Sequence, residues 1–129
     1  MTLPDGLSRL PAYIEGALEA IWDGATADSQ ESMTLEFKED PSHREGAGRA
    51  RPKLVEKLVD EAICMANSEV GSGIIVVGVH DKIAGPEAFT GTELRESDVE
   101  QKIFNASKPN MNVSATGFPV SYTHLRAHE

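Results

Sequence analysis

A chain of 129 residues, 40% hydrophobic and 26% charged, can hold one domain with a modest core and is too apolar for disorder to be the default. Twelve Lys and Arg against 21 Asp and Glu give a formal net charge of -9, which excludes coating nucleic acid by bulk electrostatics, since each phosphate contact needs a cation. The single cysteine rules out a disulfide framework or a cysteine zinc site within one chain.

Leu10, Ile14, Ala17, Leu18, Ile21 and Trp22 recur at helical spacing, with Pro11 near the first turn and Gly24 after the last, and predict an N-terminal amphipathic helix. Residues 24–30 are small and polar and read as a linker. Thr34, Glu36 and Lys38 then alternate with Leu35 and Phe37, the period of a half-buried strand, which Asp40 and Pro41 end. Residues 42–51 carry glycines and three arginines without periodicity, a loop. Pro52 can open the next helix, whose Leu54, Val55, Leu58, Val59, Ala62, Ile63 and Ala66 form a wide apolar stripe. Cys64 is placed on that helix's apolar face as a buried thiol.

After Asn67, Gly71 and Gly73, the β-branched run Ile74 to Val79 predicts a central strand covered on both faces. A short strand near Lys82 to Ala84 follows. Ser97 to Glu100 has the form of a capping box opening a last helix with Val99, Ile103 and Phe104 on its covered face. Lys108 and Pro109 stop it, and Met111, Val113 and Ala115 alternate with polar residues as a final strand. The expected fold is therefore α+β: a two-layer β-α-β-β-α-β domain preceded by the N-terminal helix.

The longest apolar run, Ile74 to Val77, is far short of the roughly 20 residues needed to span a bilayer. The start also lacks a basic region followed by an apolar stretch, so the expected location is cytoplasmic. Val120 to Glu129 breaks with everything before it. Written back into codons, these ten residues can spell a transposon-type sequencing adapter read in one frame, so the tail reads as non-native and the natural chain as continuing past Pro119. The organisation expected is an N-terminal helix in 1–25, the main domain in 26–119, truncated at its C-terminal end, and the tail in 120–129.

Glu31, Glu36 and Asp81 offer three carboxylates to a hard divalent cation such as Mg²⁺ or Mn²⁺, which takes oxygen ligands and activates water or polarises a phosphodiester. Because five is an odd separation, Glu31 must come in from the turn before the strand to join Glu36. The plain structural readings are a strand pair of Glu36 and Lys38, a loop acid at Glu31 and a turn former at Asp81. The local basic cluster is Arg44, Arg49, Arg51, Lys53 and Lys57, either a nucleic-acid face or a solvated loop and helix start. The glycines at 71 and 73 follow a helix and open a strand, the reverse of a phosphate-binding loop, and no G-x-x-x-x-G-K-[ST] is present.

Glu31, the run Leu35 to Lys38, Ala66 and Asn67, Gly71 and Gly73, Ile74 to Val79, His80 and Asp81, and Gly85 stand in an order that resembles the Schlafen-type Alba-like domain. The resemblance implies a nucleic-acid-handling module, DNA or RNA, common in bacterial regulators beside a helix-turn-helix. In nuclease members it implies an acidic triad at the positions matched by Glu31, Glu36 and Asp81, with Lys38 matching the basic residue after the second acid. Three functions are thus set against each other: a nucleic-acid-binding module of a transcriptional regulator, a divalent-metal endoribonuclease, and a non-catalytic interaction domain docking through the first helix and Trp22. Self-association is left open.

Overall fold

The computed structural model describes residues 11–40, 50–107 and 113–115, with Ala50 and Arg51 described by backbone alone. Helix α1 (Ala12–Trp22) is entered through Pro11, whose carbonyl accepts the N–H groups of Ile14 and Glu15, each at 3.0 Å. Ile14, Ala17, Leu18 and Ile21 fall at i, i+3, i+4 and i+7 and are all buried. Gly24, at φ 125°, turns the chain away. A 3-10 turn, Ala27–Gln30, then leads into strand β1 (Leu35–Lys38).

Helix α2 (Ala50–Ala66) carries the chain back so that strand β2 (Ile74–Val77) pairs parallel with β1, in the register Leu35 to Ile74 and Lys38 to Val77. Parallel neighbours need such a crossover, and α2 supplies it. Paired residues share a face. Leu35 and Phe37 join Ile14, Ala17, Leu18 and Ile21 of α1, with Val79, Ala88 and the half-buried Ile74 and Val76, in one apolar core. The opposite face carries Glu36 and Lys38 toward α2, where Lys38 Nζ meets Glu61 Oε1 at 3.5 Å. α1 and α2 therefore lie on opposite faces of the strand pair. Trp22 packs edge-on to Phe89, ring centroids 5.4 Å apart, within the chain.

β2 ends at Val77 although the apolar run continues, because Gly78 takes φ 99°. A Cβ there would lie 2.9 Å from the carbonyl carbon of Gly91, so only glycine lets the two backbones cross. The residues of β2 are each half-buried rather than fully covered. No strand forms at 82–84: Ala84 makes an isolated antiparallel bridge to Thr26, and Gly85 at φ 82° turns the chain into the 3-10 turn Pro86–Ala88. Helix α3 (Glu96–Ala106) starts one residue before Ser97, from an extended Arg95, so Ser97 is already helical and makes no cap hydrogen bond. Cys64 is exposed. The buried line of α2 is Leu54, Leu58 and Met65; six positions past Leu58 is about 120° round the helix, which takes Cys64 off that line. Of the expected last strand only 113–115 is described, without strand pairing, and Ala115 N–H donates to Glu100 Oε2 at 2.8 Å; the rest lies outside the described residues. The described elements form a mixed α and β fold in the order β1, α2, β2, α3, with α1 in front.

Candidate functional site

In a parallel pair alternate residues point their amides to the neighbour, and here Ile74 N–H binds Thr34 O while Gly78 N–H binds Lys38 O. Phe37 N–H therefore looks out from the other edge of β1. Glu31 lies along that edge and accepts it at Oε2, 2.9 Å, while Ser32 and Leu35 exchange backbone bonds beside it. This fold-back brings Glu31 next to Glu36 from the preceding turn. Burial, and then hydrogen bonding to Glu36 and repulsion from its charge, raise the Glu31 carboxyl above its ordinary 4.5 against the pull of the Phe37 amide and Lys38. Lys38 Nζ stands 3.2 Å from Glu36 Oε1 as well as near Glu61. Burial works to lower the Lys38 ammonium, but Glu36 and Glu61 outweigh it and hold it above 10.5.

Asp81 belongs to a different group. It follows the end of β2, where its backbone carbonyl accepts Asp28 N–H and its Oδ1 lies 3.6 Å from His80 Nδ1. That ring nitrogen accepts Lys82 N–H at 3.0 Å, so in the neutral ring the proton sits on Nε2, which faces Glu39 Oε2 at 3.7 Å. Next to Glu39, Asp40 is buried and accepts the Thr92 hydroxyl at 2.7 Å, and the Thr92 oxygen accepts Leu94 N–H at 3.1 Å. The start of α3 is thereby tied to the end of β1. The structure brings Glu31, Glu36 and Lys38 together and places Asp81 with His80. Among the described residues no group of three or more His, Cys, Asp or Glu is arranged to hold a metal ion, so the three carboxylates as placed do not fit Mg²⁺ or Mn²⁺.

Of the basic cluster, Arg44 and Arg49 lie outside the described residues, and Arg51 is in the first turn of α2. Lys53 and Lys57 follow one turn apart and are exposed. The cations beside the sheet are paired, Lys38 with two glutamates and Lys82 with Asp28 at 3.9 Å. Among the described residues Lys53, Lys57, Arg95 and Lys102 make no ion pair.

The Schlafen, AlbA_2 family model matches residues 31–126, well over half of the chain. The chain belongs to this family. The family is nucleic-acid-related, and its match takes in β1, α2, β2, α3 and every cation named above. Neither the curated proteins nor the solved structures compared with the chain gave a match. The AlbA_2 span opens at Glu31, so α1 stands before it while supplying Ile14, Leu18 and Ile21 to its core, and it extends to residue 126. Sequence reasoning missed Glu61, Glu39 and Asp40. Glu61 was findable: three after Leu58 and four before Met65, it lies on the buried line of α2, where a charge needs a partner.

Proposed function

We propose that this chain is an Alba-like nucleic-acid-binding module, serving a cytoplasmic transcriptional regulator, with Arg44, Arg49, Arg51, Lys53 and Lys57 as its contact face. The observation that carries the reading is the opening of α2. Its first turn holds Arg51 and Lys53 and no acidic residue, and Lys53 and Lys57 are exposed without an ion pair among the described residues. Cations at a helix N-terminus oppose the helix dipole, at a cost of about 0.3–1 kcal/mol each. A phosphate placed there would reverse the sign, meeting both the side chains and the positive end of the helix. The family match supports the same reading.

The test is a triple reversal, Arg49→Glu, Arg51→Glu and Lys53→Glu, with binding to single-stranded RNA and duplex DNA followed over a salt series. Affinity should fall more than tenfold and the salt dependence flatten, since each lost phosphate contact removes about 0.7–0.9 from the log–log slope. Equal affinity and equal slope in both proteins would place the face elsewhere. The nuclease alternative has the meeting of Glu31 and Glu36 in its favour and the position of Asp81 against it. A thermal midpoint raised by Mn²⁺ in the wild type and not in Glu36→Gln would move the reading to that alternative.

A further inference from the structure

We infer that the groove between α2 and α3 seats one unstacked base of a single-stranded nucleic acid, an inference that rests on the nucleic-acid reading above. The groove encloses about 450 Å³, within the range of small-ligand sites. Pro52 and Val55 from α2, Leu94 before α3 and Val99 from α3 give it an apolar lining, and Glu93, Arg95, Asp98 and Lys102 a charged one. Arg95, extended just before α3, and Lys102, one turn past Val99 on the helix, are its two cations. Apolar side chains between two cations that make no ion pair among the described residues match the chemistry of a nucleotide strand, whose bases alternate with phosphates.

Glu93 and Asp98 line the same groove. A carboxylate there repels a bare phosphate, but it accepts a hydrogen bond from an exocyclic amine, as Asp does from the amino group of cytosine. The mixed lining therefore suits a base edge together with a backbone better than a backbone alone. A closed duplex keeps its base faces stacked and offers the apolar lining nothing, whereas a single strand presents them. The groove is also held in place before any ligand arrives. Thr92 links Leu94 to the buried Asp40 just past β1, so the entry to α3 is hydrogen-bonded to the end of the strand.

The test uses the full chain and a fluorescently labelled octacytidylate, read by anisotropy. An abasic oligomer of the same length and charge should bind at least tenfold more weakly, since it offers the groove the backbone without a base. Arg95→Glu with Lys102→Glu should lose at least tenfold for the octamer, and the duplex form should bind more weakly than the single strand. Should the double variant fail to fold by circular dichroism, the abasic and duplex comparisons decide on the unmodified protein. Equal binding of the abasic oligomer, undiminished binding by a folded double variant, or a preference for duplex overturns the groove assignment and leaves the α2 face standing. Failure to bind any nucleic acid overturns both.

Discussion

The two faces of β1 do different work with neighbouring residues. Leu35 and Phe37 are buried against α1 and belong to the main apolar core, while Glu36 and Lys38, alternating with them, lie half-covered under α2 among Glu31 and Glu61. The first face stabilises by removing apolar area from water, and the second by mutual neutralisation of charges that burial would otherwise penalise. The cations follow the same division: among the described residues Lys38, close to the strand, is paired, while Lys53 and Lys57 on α2 and Lys102 on α3 make no ion pair.

The largest effect should come from the apolar face. Phe37→Ala is expected to cost about 3–5 kcal/mol in urea denaturation, a large share of a small domain's stability. A loss below about 1 kcal/mol would mean that α1 does not depend on this face. Gly78→Ala should cost about 1–3 kcal/mol, from positive φ and the close approach of Gly91, and thermal melting would show it. Lys38→Met leaves Glu31, Glu36 and Glu61 without their cation and should cost about 1 kcal/mol at pH 7. That deficit should shrink toward pH 4 as carboxylates protonate. In the parent the Lys38 contribution is fully present below 10.5 and is lost as pH rises through the higher folded value. A deficit independent of pH would mean that Lys38 acts through packing of its stem.

The smallest effect is expected at Glu31. Its raised carboxyl binds a proton more tightly in the fold, so its favourable contribution is present below 4.5 and is lost as pH rises through the folded value. Glu31→Gln keeps an acceptor for Phe37 N–H and removes the repulsion with Glu36. The thermal midpoint should therefore rise slightly at pH 7, with the difference vanishing below 4.5. A lower midpoint at pH 7 would rank the charge-assisted bond to Phe37 above that repulsion.

Helical periodicity made α1 and α2 legible, because Ile14, Leu18 and Ile21, or Leu54 and Leu58, recur once per turn and have one way to be buried together. The phase of α2 was harder. Its apolar residues cover a stripe wide enough to leave the burial direction open, so the stripe takes in Cys64, which is exposed. The end of β2 depended on Gly78, a residue that a β-branched run on both sides disguises. At the site, the fold-back of Glu31 could be reasoned from its odd spacing to Glu36. The separation of Asp81 could not, since it depends on how the chain leaves β2 and on the Asp28 amide it meets there.

The last carbonyls of α1 have a partner far along the chain: Ile21 O accepts Gly85 N–H at 2.8 Å, and the apolar stripe of α1 closes over Val79 and Ala88. During synthesis the first helix thus leaves the ribosome well before Val79, Gly85 and Ala88 exist. At about 5–20 residues per second, the stretch from Ile21 to Gly85 takes roughly 3–13 s to make. For that interval Ile14, Leu18 and Ile21 are exposed on a nascent chain, a window in which a chaperone has a binding site that the finished protein no longer offers.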